Sequence, residues 1–257
     1  LTNDGNGIAD NEAVTVSGSG TLTTNGTDTI ASLTQSGGTV NGSALLTAGT
    51  YGQTGGDMAG LLAATTSAAL NGGTISGTLS GGLATAASGT TNVTGSITSS
   101  GLTVSGGTVN LNGAGNVNTT GNAITVSAGA LVNDGNGIAD NEAVTVSGTG
   151  TLTTNGTDTI ASLDQQGGTV DGTALLTAGT YTQSGGDMAG LVATTTSATL
   201  NGGTISGTLS GAAATVQTGT TTLTGTISAD TTITSTLEVD GGDLTGSNTL
   251  NGGTLAG

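Results

Sequence analysis

Apolar and polar residues alternate along most of the chain in short runs, as in AVTVSG, GTLTT and GTISGTLSG. Alternation at every second residue is the pattern of a β-strand with one buried face, whereas a helix repeats its apolar residues every three or four positions. Paired glycines interrupt these runs at a fixed phase, and glycine readily adopts the positive φ angles of tight turns. The pattern therefore predicts many short strands joined by glycine-containing turns.

A turn motif of the form Gly-Gly-(Thr or Asp)-apolar-x-Gly, with its variants, sets a regular spacing. Its apolar position advances in steps of 18, 17 and 18 through two series: Val40, Met58, Ile75 and Val93, and then Val170, Met188, Ile205 and Leu223. A unit this short cannot bury an apolar face alone and must stack on its neighbours, as the coils of a solenoid do. We therefore predict an all-β parallel β-helix with a coil period of 17 to 18, in which both series form internal ladders.

A second, longer period is a tandem duplication. Residues 1–100 match residues 131–230 at a constant offset of 130, with 78 identities in the 100 positions. The match fades beyond these ranges. The sequence therefore predicts two repeat units, 1–130 and 131–257, within one continuous solenoid.

The interior of such coils must be thin, because the only aromatic residues are Tyr51 and Tyr181. Aromatic side chains normally contribute much of the buried area of a core. We expect the ladders to hold Val, Ile, Leu, Ala and Thr, with Met58 and Met188 as core fillers. Each tyrosine is expected to cover the edge of a coil, although a ring at such a place also suits stacking on a sugar.

Charge and composition narrow the range of partners. The chain of 257 residues has 16 Asp and Glu residues but no Lys, Arg, His or Cys, and its formal net charge is −16. Without Cys it has neither a disulfide nor a thiolate metal site. Nucleic acids and anionic membranes are disfavoured, because their recognition relies on Lys and Arg. No apolar stretch reaches the roughly 18 residues of a membrane span, so membrane insertion is not expected.

Catalysis is not expected either, because the residue types that supply most activated nucleophiles and cationic oxyanion stabilisers are missing. A pair of carboxylates is sufficient in principle to hydrolyse a glycosidic bond. Asp57 and Asp187, each in GGDMAG, are the acids inside the turn motif, where neighbouring coils have Thr39 and Thr74 in the first copy. A hydrated turn residue fits this position better than a catalytic acid, since alternation with Thr keeps like charges off adjacent coils.

The densest polar stretch, NDGNGIADNE, occurs twice without change, at residues 3–12 and 133–142. Its alternating oxygen ligands and interspersed glycines suit a Ca²⁺ loop. It resembles the DxDGDGIxDxxE loops of thrombospondin type 3 repeats and dockerins, although Thr2 stands where the first Asp belongs, Asn6 replaces an Asp and Glu12 comes one residue early. The calcium ligands expected in the two copies are Asp4, Asn6, Asp10 and Glu12, and Asp134, Asn136, Asp140 and Glu142. The alternative is a solvated insertion that folds outward where the coil period is interrupted.

The turn motif, the alternating Thr and Val strands and the near absence of basic and aromatic residues resemble bacterial surface adhesins of the filamentous-haemagglutinin and autotransporter-passenger kind. The resemblance covers nearly the whole chain. It implies a right-handed parallel β-helix that is secreted across an outer membrane and is displayed on the cell surface or shed outside.

Three functions follow as hypotheses. The first is a structural extracellular protein, a stiff acidic β-solenoid fibre of a biofilm matrix, surface filament or sheath, assembled by end-to-end self-association. The second is an adhesin passenger domain that binds a host surface or a surface carbohydrate. The third is ice binding, which needs Thr-x-Thr at one phase in most coils, whereas TLTT, GTISG and TTTLTG do not hold one phase.

Overall fold

A computed structural model describes residues 1–112 and 115–257 of the chain. In these residues the structure is all-β, without helix, and its parallel strands stack coil upon coil into a β-solenoid of about 14 turns. The predicted fold class is therefore confirmed. The chain divides into two compact units, Leu1–Ile124 and Thr125–Gly257, each with its own internal ladders. In the described part of the chain no helix is long and apolar enough to cross a membrane.

The strands of the first unit are long where the chain continues around a corner of the coil without a break. They are β1 (Thr2–Asn3), β2 (Ala13–Val16), β3 (Thr21–Thr24), β4 (Asp28–Asn41), β5 (Leu45–Met58), β6 (Leu61–Leu70), β7 (Gly73–Ile75), β8 (Thr78–Ala86), β9 (Thr90–Val93), β10 (Ser96–Ser99), β11 (Leu102–Leu111) and β12 (Asn116–Val117). Strand β13 (Ala123–Asn133) begins at the end of this unit and lies mostly in the second.

The second unit repeats this pattern of short and long strands. They are β14 (Ala143–Val146), β15 (Thr151–Thr154), β16 (Asp158–Gln165), β17 (Thr169–Asp171), β18 (Leu175–Gln183), β19 (Asp187–Met188), β20 (Leu191–Leu200), β21 (Gly203–Ile205), β22 (Thr208–Val216), β23 (Thr220–Leu223), β24 (Thr226–Ile233), β25 (Thr236–Val239), β26 (Asp243–Thr245), β27 (Asn248–Leu250) and β28 (Thr254–Ala256). Strands of successive coils pair in parallel, as stacked coils require.

Each coil of a unit has three sides, which we name A, B and C. In the second unit, side A is the ladder of β15, β17, β19, β21, β23, β25 and β28. Side B is formed by the first residues of β16, β18, β20, β22 and β24, and by β26. Side C is formed by β14, by the last residues of the same five strands, and by β27. Residues of the first unit lie on the same side as their equivalents 130 positions later.

The predicted apolar ladders are confirmed on side A. The inward-facing column of the first unit is, in pairing order, Leu22, Val40, Met58, Ile75, Val93 and Leu111. That of the second unit is Leu131, Leu152, Val170, Met188, Ile205, Leu223 and Val239. Both methionines are 0% exposed, which confirms them as core fillers. Because full burial of one such side chain contributes about 1.5–3 kcal/mol, these columns are a major source of stability.

The two tyrosines lie inside the coils, so the expectation that each covers a coil edge is wrong. Tyr51 is 2% exposed, and its hydroxyl donates a hydrogen bond of 2.7 Å to Oε1 of Gln35 in the neighbouring coil. Gln35 in turn donates from Nε2 to the backbone oxygen of Asp57, at 2.9 Å. Burial, and to a smaller extent Asp57, raises the pKa of the Tyr51 hydroxyl, which therefore stays protonated as a donor. Tyr181 and Gln165 repeat this bond at 2.7 Å.

The paired glycines of the turn motif are required by the close approach of successive coils. A Cβ atom at Gly38 would lie 2.0 Å from the backbone oxygen of Gly20, and one at Gly168 would lie 2.1 Å from that of Gly150. Both Gly38 and Gly168 also have positive φ angles, 63° and 62°. Any other residue at these two positions would clash with the neighbouring coil and strain the backbone.

Candidate functional site

The repeated polar loop takes the place of a side B strand in its coil. In the first unit it connects β1, on side A, to β2, on side C. The coil that contains it advances by 21, from Thr2 to its partner Thr23, and the equivalent coil also advances by 21, from Leu131 to Leu152. Most other coils advance by 17 or 18. The coil period is thus interrupted at the loop, as the sequence predicts, while the side A ladder continues past it.

The loop is held to its coil by a buried pair of side chains, Asn3 and Asp28. Oδ1 of Asn3 accepts the backbone N–H groups of Gly5 and Gly7, at 3.4 and 3.2 Å. Nδ2 of Asn3 donates to Oδ2 of Asp28, which lies on side B of the next coil. Asn3 is 4% exposed and Asp28 is 5% exposed. We call this pair, and its equivalent in the second unit, the Asn–Asp staple.

Hydrogen-bond donors saturate the carboxylate of the staple. In addition to the amide of Asn3, Asp28 accepts the backbone N–H groups of Ile8 at 3.0 Å and Thr29 at 2.7 Å. In the second unit Asp158 accepts the three equivalent bonds, with its backbone donors at 2.9 and 2.6 Å. Bonds to a charged group contribute about 1.5–3 kcal/mol each. The staple therefore fixes the path of the loop.

The two staples differ in the ease with which their aspartate is protonated. For Asp28, burial acts to raise the pKa, but the backbone and amide donors outweigh it, so the pKa lies below its ordinary value. For Asp158, burial outweighs the donors and the like charge of Asp140 adds to it, so the pKa is raised. The residue whose backbone N–H binds each carboxylate also differs in burial, because Ile138 is 1% exposed while Ile8 is only half-buried.

The predicted calcium ligands do not all converge. Asp4 turns towards Asn25, whose Nδ2 donates to Oδ1 of Asp4 at 2.8 Å, and Asp134 accepts the equivalent bond at 2.9 Å. Glu12 is exposed, whereas Glu142 is fully buried. In the described part of the chain, no group of three or more Asp, Glu, His or Cys side chains is placed to hold a metal ion. Calcium binding stays a prediction, with a smaller set of ligands than the sequence suggests.

Asn6 and Asp10 do lie together, at a shallow groove beside the staple. In the first unit this groove has a volume of about 290 Å³ and is lined by Asn6, Asp10, Thr27, Asp28, Thr29, Leu45 and Thr47. The second unit has a groove of about 290 Å³ lined by Asn136, Thr157, Asp158, Thr159, Leu175 and Thr177. Leu45 and Leu175, each 40% exposed, give both grooves an apolar rim. We call them the staple grooves; their carboxylate, amide and hydroxyl oxygens suit a hard cation or the hydroxyl groups of a sugar.

Sequence reasoning missed the roles of Asn3, Asn25 and Asp28, which position the loop. Asn3 begins the repeated stretch, but the contacts that join the loop to the next coil span 20 to 25 positions, so the stretch alone does not show them. The duplication does contain a signal, because residues 3–33 and 133–163 differ at a single position although 22 of the 100 matched positions differ overall. The unchanged block contains both the loop and the strand to which the staple binds it.

Asp57 and Asp187 act as structural turn residues. The hydroxyl of Ser76, in the next coil, lies 2.7 and 2.9 Å from the two carboxylate oxygens of Asp57 and donates to them. Ser206 makes the same contacts with Asp187. Each aspartate also lies between two threonines in its column on side A. The carboxylates therefore link coils, and the absence of catalysis stays a prediction.

Comparisons with known proteins found no match for this chain: no family model, no curated protein and no solved structure is similar to it. The resemblance to bacterial surface adhesins therefore has no support beyond the β-solenoid fold itself. Arguments about function depend on the geometry of the coils and of the staple grooves.

Proposed function

We propose that the chain is a structural extracellular protein whose function is to form a stiff, acidic β-solenoid fibre, in a biofilm matrix, a surface filament or a sheath. The observation that carries this proposal is that buried polar side chains form hydrogen bonds between coils. In both units they bond groups of neighbouring coils, as the two staples and the two Tyr–Gln pairs do. The polar interior therefore serves the cohesion of the coils.

Further side-chain bonds reinforce the backbone ladder from one coil to the next. Nε2 of Gln53 donates to the backbone oxygen of Thr74 at 2.9 Å, and the hydroxyl of Thr24 donates to that of Asn41 at 3.1 Å. Buried bonds of this kind are stronger than bonds exposed to water, and neighbouring bonds polarise one another. They resist separation of the coils along the solenoid axis, which is the direction of load in a fibre.

The composition of the chain supports a location outside the cell. No basic residue balances the 16 acidic residues, most of which are not buried, so the chain attracts water and counterions and repels copies of itself at low salt. Trypsin-like proteases find no Lys or Arg to cleave after, and no Cys is present to be oxidised. These properties suit a hydrated, persistent matrix.

We further propose that copies of the chain associate end to end. Strands of successive coils pair in parallel along each unit, and strand edges of this kind readily pair with further strands. A second copy of the chain offers such strands and is the partner that we propose.

Electron microscopy of the native material and of the purified full chain tests the proposal. We expect filaments one coil-width thick that lengthen as protein concentration rises. Monodisperse monomers at high concentration, together with isolated rods in the native material, would contradict the fibre function.

A second candidate function is that of an adhesin passenger domain that binds a host surface carbohydrate. The occurrence of the same staple groove in both units favours it, since two equivalent weak sites raise overall avidity. Binding of the full chain to immobilised glycans tests this candidate. Thr47→Arg with Thr177→Arg fills both grooves and should abolish binding, whereas Thr21→Arg with Thr151→Arg, on side A, should not. Binding that persists in the groove variant would exclude the grooves.

A further inference from the structure

Side C of the second unit carries a row of threonines that crosses five coils. The outward residues at one position of this side are, in pairing order, Thr145, Asp164, Thr182, Thr199, Thr215, Thr232 and Thr249. The last five are threonine on five successive coils without a gap. We call these five residues the Thr column.

The sequence conceals this column, because its members fall in the unlike fragments YTQ, ATL, ATV, TTI and NTL, at unequal steps of 17, 16, 17 and 17 along the chain. Irregular pairing at the corner between sides B and C, for example between Thr194 and Ala198, absorbs the unequal steps. The fragments TLTT, GTISG and TTTLTG all lie on side A, where Asp187 interrupts the outward threonines. Spacing across coils, and not Thr-x-Thr spacing along the chain, is therefore the relevant test in this fold.

Four threonines of the Thr column are anchored to the core. The residues that flank Thr182, Thr199, Thr215 and Thr232 in the chain are buried, for example Ala198 at 2% exposure and Leu200 at 0% beside Thr199. Asn248 and Leu250, which flank Thr249, are exposed. Threonine is stiff at χ1 because it is branched at Cβ. In the described part of the chain none of the five hydroxyl groups bonds another protein group. The column is thus a rigid row of hydroxyl and methyl groups at the inter-strand spacing, about 4.8 Å.

The surroundings of the column restrict what can bind there. The adjacent outward residues are small at Thr180, Ser197 and Ala213, and Asp230 stands beside Thr232. No basic residue is present for an anionic polymer, and neither tyrosine is exposed to stack on a sugar ring. A neutral, flat occupant that repeats along a line at nearly the coil spacing fits this surface. The oxygen lattice at the surface of ice has these properties.

We propose that side C of the second unit binds ice through the Thr column. The methyl groups order water between them, and the hydroxyl groups anchor that water in a row that continues the lattice. One molecule is sufficient for this interaction, so the proposal does not depend on the fibre function. Ice is an uncharged partner, so a protein with no basic residue can bind it.

The first unit supplies a natural comparison, because its equivalent row is interrupted. In pairing order it reads Thr15, Thr34, Gly52, Ala69, Thr85 and Thr103. Gly52 and Ala69 remove the hydroxyl groups from the middle of the row, where the second unit has Thr182 and Thr199. The two units therefore present the same side of the same fold with and without a continuous column.

Incorporation of the full chain into slowly grown ice is the first test. We expect the native chain to be enriched several-fold in the ice over a protein that does not bind ice. Thr199→Tyr with Thr215→Tyr keeps residues that favour strands but raises two rings from the flat face, and should abolish the enrichment. Thr204→Tyr with Thr222→Tyr, at outward positions on side A, is the matched control and should retain it. Melting curves by circular dichroism verify that both variants fold.

A gain of binding is the second test. A Cβ atom at Gly52 meets no atom within 4 Å, and the φ angle of Gly52 lies outside the left-handed region, so threonine fits there without strain. Gly52→Thr with Ala69→Thr completes a row of six threonines in the first unit and should increase the enrichment in ice. The proposal is overturned if the native chain is excluded from ice like an ordinary soluble protein, or if the side A control loses as much binding as the side C variant.

Discussion

Replacing Asp28 by Asn keeps the shape of the staple and removes one of its acceptor oxygens. The carboxylate accepts three hydrogen bonds, from Asn3, Ile8 and Thr29. An amide offers a single oxygen, so in either orientation its NH₂ group faces at least one buried N–H donor. Losing a bond to a charged group and leaving that donor unpaired should cost about 2–4 kcal/mol of unfolding free energy at neutral pH. Urea unfolding followed by far-UV circular dichroism measures this loss.

Asp158→Asn is the matched control, because its three bonds are equivalent. Here the charge is disfavoured by burial and by Asp140, as the raised pKa indicates, so removing it relieves a penalty. We therefore expect a smaller loss of stability than for Asp28→Asn. The curves should be fitted with separate transitions for the two compact units, since a two-state description is unsafe for such a chain. Equal losses, or a larger loss for Asp158→Asn, would refute the reasoning.

A fall in pH should change the contributions of the two staples to the unfolding free energy in opposite directions. The pKa of Asp28 is lowered on folding, so its contribution is present above the unfolded-state pKa and is lost as pH falls through the folded-state pKa. The pKa of Asp158 is raised, so its contribution is present below the unfolded-state pKa and is lost as pH rises through the folded-state pKa. Between about pH 7 and about pH 3, the cost of Asp28→Asn should shrink while that of Asp158→Asn grows.

Three further predictions concern the loop, the core and the composition. If the loops bind Ca²⁺, removing the ion with a chelator at constant sodium should lower the melting temperature. At a hundredfold excess of ion over Kd, the stabilisation lost is about 2.7 kcal/mol, and Asp10→Asn with Asp140→Asn should remove the difference between the curves with and without Ca²⁺. An unchanged melting curve would show that the loop is a solvated insertion. Tyr51→Phe leaves Oε1 of Gln35 unpaired and should lower the unfolding free energy, measured with urea, by about 1–3 kcal/mol, and Tyr181→Phe should do the same. An unchanged unfolding midpoint would show that water replaces the hydroxyl group. Trypsin should cleave neither the folded nor the denatured chain, because the sequence contains no Lys or Arg. A discrete fragment on a gel would contradict this prediction.

Side A was predictable from the sequence because its turn motif fixes the phase of every coil. Gly38 must be glycine, since its position lies against the backbone of Gly20 in the neighbouring coil. The apolar residue two positions later, Val40, is thereby locked into the core and into register with Met58. A short local motif thus carries long-range information about this side, and the predicted ladders follow from it.

The remaining features depend on register that no local motif reveals. Tyr51 lies in the core, where its partner on the next coil is the small residue Ala68. Asp28 binds the loop from a strand that lies 25 positions after Asn3 in the chain. The sequence of the loop alone therefore suggests metal ligands and does not show the Asn–Asp staple. The Thr column requires the unequal steps of side C to be aligned by irregular corners. In each case the physical cause is a neighbour from another coil.

Residues that are 130 positions apart in the two copies lie on the same side of their coils, and this has a genetic consequence. A segment of this length contains a whole number of coils, including the longer coil with its polar loop. Unequal crossing-over between two such gene segments would insert or delete a complete unit, and every column would keep its side and its phase. Chain length is therefore free to change by recombination in steps of one whole unit without any new packing problem, and alleles that differ by whole units are expected where this gene varies.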